Sequence, residues 1–202
     1  MAEVVAPRDA STILLLRDGK AVKEIEVFMM VRHYEIDFNS GALVFPGGSV
    51  DKNDKEIIEW SKLYAGGEGL DAAALSFRIA AIRETFEESG ILLARPRGSK
   101  ALLDAKRASE IEAAHRADLN DHKTTFLKVL ADNGLVLALD ELVPYAHWIT
   151  PEGMPSEWVM ETQFPSASRI DTCVVSLLGT PALNRATSAF SPRLIESAIS
   201  AQ

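Results

Sequence analysis

Cysteine is nearly absent from these 202 residues, and the single Cys173 leaves nothing from which to build a disulfide framework. That usage suits a reducing compartment, with Cys173 a small buried hydrophobe. Long hydrophobic runs are missing too. Nothing approaches the roughly 18 consecutive apolar residues that a membrane-spanning helix needs, and Met1 to Asp9 carries no apolar core of the signal-peptide kind. A cytoplasmic location without membrane contact is the expectation. Positive charge is scarce: 21 basic residues face 29 acidic ones, the formal net charge is −8, and the basic residues do not cluster. Such a surface repels a phosphate backbone, which disfavours a nucleic-acid polymer as partner. A small anionic substrate stays open, because a bound divalent cation reverses the field locally. Repeats and linkers are lacking as well, so residues 1–202 read as a single domain.

What is present begins with short apolar runs. Ser11 to Arg17 reads as a strand that stops at Asp18-Gly19, a pair able to take the positive φ angles of a tight hairpin. Glu24 to Arg32 reads as its pairing partner, entering the middle of a sheet. Ala42 to Phe45 is a third run, ended by Pro46-Gly47-Gly48, where proline lacks a ladder donor and glycine permits unusual backbone angles. Asp51 to Leu70 reads as an ordered insertion held by Trp60, Leu63 and Tyr64. Asp71 is placed to cap a helix that Gly90 stops. Beyond it come the apolar run Ile91 to Leu93, a loop over Arg95 to Gly98, helical stretches at Ser109 to Asp118 and Lys123 to Ala131, and a strand at Tyr145 to Ile149 closed by Thr150-Pro151. After Met154 the pattern weakens. Thr172 to Val175 is the one strand-like run there, with Val174, Val175, Leu177 and Leu178 expected to be buried. Ser191-Pro192 opens a terminal helix whose Leu194, Ile195 and Ile199 would face the domain or a second copy, which leaves a homodimer open.

The helix after Asp71 carries the chemistry. At 100° per residue, with Leu75 at zero, Ile79, Ile82 and Phe86 fall within roughly 40° of it. The same count puts Glu87, Glu84 and Glu88 near 120°, 180° and 220°, three carboxylates on an arc of roughly 100° facing away from the core. A solvated acidic face is the plain reading of such a trio. Against it, the carboxylates repel one another at i, i+3 and i, i+4 spacing, close to a helix C-terminus whose dipole also disfavours anions. Bound cations would offset both costs, and the upstream Pro-Gly-Gly offers backbone carbonyls to complete a hard-metal oxygen site.

At these residues the chain resembles the Nudix hydrolases, whose signature is a glycine, five residues, a glutamate, seven residues, then Arg-Glu-apolar-any-Glu-Glu-any-Gly-apolar. Arg83-Glu84-Thr85-Phe86-Glu87-Glu88-Ser89-Gly90-Ile91 matches the second half, with Thr85 in the first apolar slot, and Phe45-Pro46-Gly47-Gly48 looks like the start of the box. The resemblance implies an α/β fold, a Nudix-type α/β/α sandwich with a mixed sheet. It implies that Glu84, Glu87 and Glu88 bind Mg²⁺ or Mn²⁺, that a Gly47 or Gly48 carbonyl contributes, and that Arg83 orients the carboxylates. The partner it implies is a small nucleotide-containing diphosphate, cut at its phosphoric anhydride bond.

The chain also departs from the signature. Gly48 and Arg83 enclose 34 residues where the pattern has 13, an insertion of 21. Eight residues before Arg83 stands Leu75, not glutamate, which leaves Asp51, Asp54, Glu68 and Asp71 as substitutes. A long insertion here, with Gly41 to Gly48 and Trp148-Ile149-Thr150-Pro151-Glu152, resembles the branch that includes the peroxisomal acyl-coenzyme A diphosphatase, over about Ala10 to Met154. That branch has an Arg-Phe-Asp-Thr strand soon after Thr-Pro, and the nearest echo is the later Arg169-Ile170-Asp171-Thr172. The site expected is therefore Arg83, Glu84, Glu87, Glu88, Gly47 and Gly48, with Arg32 and Phe45 meeting substrate. Glu84, Glu87 or the loop residue Glu152 is the general base. His33 and His147 have no partner at metal-ligand spacing and read as structural or surface residues. The alternative is a Nudix-fold module that senses a nucleotide without cutting it.

Overall fold

The computed structural model describes residues 8–19, 24–31, 43–149 and 168–176. Strand β1 (Arg8–Asp18) is apolar in its middle, and Ala10, Ile13, Leu15 and Leu16 are buried. Along one edge it pairs in parallel with β10 (Ser168–Ser176), from Arg8 opposite Ser168 to Leu16 opposite Ser176. Along the other edge it pairs antiparallel with β2 (Ile25–Val27) and with β5 (Gly47–Ser49). Strand β9 (Val143–Ile149) lies antiparallel on the far side of β10, with a register shift between Thr172 and Cys173. The sheet is thus mixed, as expected, and the parallel pair obliges the chain to cross over through its helices. The expected run Thr172 to Val175 lies within β10. The burial expected of Val174, Val175, Leu177 and Leu178, and the terminal helix, lie outside the described residues.

Several expectations near β1 need correction. The Asp18-Gly19 hairpin is not a two-residue turn: Asp18 pairs with Ile25, and Gly19 N–H donates to Glu24 O at 3.0 Å. Gly19 has no positive φ; a Cβ on it would lie 2.5 Å from Glu24 Cγ, so close approach is what selects glycine. The run from Glu24 is not one strand. It breaks at Phe28, whose N–H donates to Leu15 O at 2.9 Å, and continues as β3 (Met30–Val31), which pairs with β4 (Leu43–Val44) in a separate two-stranded sheet. The run before Pro46 does end as expected, with a bend at Pro46, but the two glycines then start a new strand, β5, in the sheet of β1.

Helix α2 (Ala72–Ser89) follows its sequence signals closely. Asp71 accepts from Ala74 N–H at 2.8 Å, Gly90 ends the helix at φ 77°, and Leu75, Ile79, Ile82 and Phe86 are all buried, packing against β1. The insertion ahead of it folds as α1 (Lys52–Ile58), a 3-10 turn at Ser61–Leu63, and β6 (Tyr64–Ala65). Its deepest apolar contact is Ile57, fully buried beside Leu63, whereas Trp60 stays half-exposed with Lys62 Nζ 5.2 Å from its ring centre. Strand β6 joins β8 (Leu135–Ala138) and β7 (Ala94–Pro96) in a second sheet. Arg95 and Pro96 are therefore strand rather than loop, paired with Val136 and Leu135, and the buried Arg95 guanidinium reaches Asp140 and Glu141. The weak helical signal at Ser109 belongs to the longer α3 (Ala105–Asn120), and the one after Lys123 begins at α4 (Phe126–Asp132). Among the described residues no helix is long and apolar enough to cross a membrane.

Candidate active site

Strand β5, helix α1 and the C-terminal half of α2 meet at Arg83. This arginine is 7% exposed, and a buried guanidinium needs most of its donors satisfied. Nε donates to Asp54 Oδ1 at 2.8 Å and Nη2 to Asp54 Oδ2 at 3.0 Å, a forked pair. Nη2 also donates to Ser49 O at 2.8 Å, while Nη1 reaches Glu87 Oε2 at 2.7 Å and Glu84 Oε1 at 3.0 Å. Arg83 thus contacts two of the three expected carboxylates. The third, Glu88, accepts from Gly47 N–H at 2.8 Å, tying the helix to β5.

The glycines act here through close approach rather than backbone angle, since neither has a positive φ. A Cβ on Gly47 would fall 2.4 Å from Ser11 O and 2.7 Å from Thr12 Cα, in the body of β1. A Cβ on Gly48 would fall 2.4 Å from Glu84 Oε1. The Pro46 carbonyl is taken by Ile13 N–H at 3.0 Å and Thr12 Oγ1 at 2.9 Å. The carboxylate arc is consequently not an open acidic face: β5 and α1 cover it, and the Glu84 side chain is only 15% exposed.

Of the four acids considered for the missing first glutamate, the structure brings one to the arginine. Asp51 caps α1 and Asp71 caps α2, while Glu68 is exposed. Asp54 is fully buried, forms a capping box with Asp51 by accepting from Asp51 N–H at 2.7 Å, and holds Arg83 with the same carboxylate. The missed signal is spacing counted from the other end. Asp54 follows Gly48 at the five-residue interval the signature gives its first acid, so the insertion falls after that acid.

Electrostatics set this cluster apart from a solvated face. Burial, opposed by Arg83, holds the carboxyls of Asp54, Glu84 and Glu87 above the usual carboxylate range. Burial likewise opposes the charge on Arg83, but the hydrogen bond and charge of Asp54, then Glu84 and Glu87, outweigh it and keep the guanidinium protonated. One buried cation among these acids leaves negative charge in excess. Among the described residues no three acidic or histidine side chains already converge into a finished metal cage. The donor set, hard carboxylate oxygens with uncompensated charge, nonetheless suits Mg²⁺ or Mn²⁺.

Of the remaining expected residues, Phe45 is half-buried two residues before Gly47, and His147 is exposed on β9. Arg32, His33 and Glu152 lie outside the described residues. Sequence reasoning gave no sign of Arg116 on α3, whose guanidinium reaches the last turn of α2 from a separate helix.

A mixed sheet with an acid-bearing helix packed on β1 matches an α/β Nudix fold. A crystallised NUDIX hydrolase from Alicyclobacillus acidocaldarius superposes at TM-score 0.64 and 28% identity, over 89% of this chain and 75% of that one. A family model described as the NUDT19 Nudix domain matches residues 69–175, over half of the chain. A putative nudix hydrolase 7 of Caenorhabditis elegans is 30% identical over 133 residues, 66% of this chain and 37% of its own. The acyl-coenzyme A diphosphatases NUDT19 of Gallus gallus and Xenopus laevis are 28% and 24% identical, over 72% and 71% of this chain and 50% and 46% of theirs. The chain spans half or less of the length of these curated relatives. It belongs to the NUDT19 Nudix domain family.

Proposed function

We propose that the chain hydrolyses the diphosphate linkage of a nucleoside diphosphate derivative, with Mg²⁺ or Mn²⁺ held by Glu84, Glu87 and Glu88 and by a Gly47 or Gly48 carbonyl. The observation that carries this is the excess of carboxylate, buried at Asp54 and partly buried at Glu84 and Glu87, around a single arginine, closed over by two glycines that leave no room for side chains. Such an ion supplies positive charge to the diphosphate oxygens and acidifies bound water. The protein's share is positional. Asp54 fixes Arg83, Arg83 fixes Glu84 and Glu87, and the Gly47 N–H fixes Glu88. A carboxylate takes the proton of the attacking water. Glu84 or Glu87 in the box competes for that role with Glu152 outside it. Arg32 and Phe45 meet the substrate.

The relatives named acyl-coenzyme A diphosphatase support coenzyme A or an acyl-coenzyme A as the substrate, cleaved to an adenosine bisphosphate and a phosphopantetheine. A phosphate-product screen over coenzyme A, nucleoside diphosphate sugars and dinucleoside polyphosphates tests this. Coenzyme A should lead, and a roughly tenfold higher kcat/KM for another class would overturn the substrate. Glu88→Gln keeps an acceptor for Gly47 N–H and should cut turnover at least about a hundredfold with little change in melting temperature. Equal loss of stability and activity would make the residue structural. Mn²⁺ binding without turnover of any substrate would favour a sensing module.

A further inference from the structure

The carboxylates stand on the last two turns of α2, where the helix's own unpaired carbonyls already concentrate negative charge. Helix α3 meets that end directly. Arg116 Nε donates to Glu87 O at 2.8 Å and Nη2 to Glu88 O at 2.6 Å, so one planar guanidinium holds the backbone of both acids. Asn120 Nδ2 adds a third bond to Glu87 O at 3.3 Å. Nη1 of Arg116 is held by Glu112 Oε1 at 2.9 Å, and Glu112 lies so near Gly90 that a Cβ there would sit 2.2 Å from the same oxygen. Residues 112, 116 and 120 recur every four positions on one face of α3, and Ile111 and Leu119 bury the same helix in the core.

We infer that Arg116, aligned by Glu112 and seconded by Asn120, is a positioning residue for the ion-binding carboxylates: it clamps the final turn of α2 so that Glu87 and Glu88 present their side chains in a fixed register. The inference rests on the metal reading above. A guanidinium suits the task because its fork spans two successive carbonyls, which an ammonium cannot match in a plane.

The sign of the effect separates positioning from simple charge. Removing a positive charge beside an acidic site favours cation binding by Coulomb's law. Loss of a clamp does the opposite. Titration of Mn²⁺ alone, by calorimetry on the full chain, should therefore show Arg116→Met binding about tenfold more weakly than wild type, with Arg116→Lys between them. Ile111→Val removes a buried methylene from the same helix without touching the clamp, and should lower the melting temperature while leaving Mn²⁺ affinity unchanged. Binding by Arg116→Met that equals or exceeds wild type would overturn the inference, as would equal weakening by Ile111→Val, which would reduce the effect to stability. If the wild-type chain binds no Mn²⁺, the metal reading itself falls and takes the clamp's purpose with it.

Discussion

Asp54 performs two tasks with one carboxylate: it closes the capping box of α1 and supplies the fork that neutralises Arg83. Both partners are buried, so breaking the pair strips Arg83 of its fully buried counter-charge and leaves it to the partly exposed Glu84 and Glu87, a cost below the about 3–5 kcal/mol of a buried ion left wholly unpaired. Asp54→Asn should lower the urea midpoint accordingly. Adding Arg83→Met to it should recover part of the loss, and additive losses in the double variant would show that the two residues do not act on each other. At the neighbouring glycines the structure predicts opposite balances. Gly47→Ala drives a methyl into the backbone of β1 and should cost stability first. Gly48→Ala meets only the end of the Glu84 side chain, which can swing away, so activity should fall much more than melting temperature.

At the scale of elements, what was legible in the sequence was local. Helix α2 declared itself through Asp71, Gly90 and the four buried apolar residues between them, because caps and periodicity are short-range signals. β1 and the β10 run were visible as β-rich segments. What failed was long-range. The run from Glu24 divides because its two halves take different partners, Ile25–Val27 pairing with β1 and Met30–Val31 with β4, and the strand at Leu135–Ala138 forms because Tyr64 and Ala94 both pair with Leu137. The insertion's hold on the core through Ile57 rather than Trp60 is equally a matter of which face meets α2 and α4. The same division runs through the site. The Arg83 string was readable by spacing, whereas its link to Asp54 spans the insertion and Arg116 comes from another helix.

For the whole molecule, the partly buried carboxylates tie metal binding to pH. The folded chain without metal holds Glu84 and Glu87 above their ordinary value. The stability this shift brings is present when they are protonated and is lost as pH rises through the folded value. A divalent ion favours the deprotonated forms and so works in the opposite direction. The rise in melting temperature produced by saturating Mg²⁺ should therefore be greatest at neutral pH. On acidification it should shrink, beginning above the ~4.3 of an ordinary glutamate. A shift independent of pH across that range would show that the ion binds elsewhere.

The parallel pairing of β1 with β10 also dictates an order of events during synthesis. Arg8 and Ser168 are neighbours in the sheet, yet the first is made long before the second. At about 5–20 residues per second, β1 waits on the order of ten seconds for the strand that will lie beside it. Throughout that interval one edge of the longest strand presents unpaired donors and acceptors to whatever is nearby, and β9 emerges before there is anything between it and β1 to pair with. The nascent chain is thus open to wrong pairings until its last described strand leaves the ribosome and fills the gap.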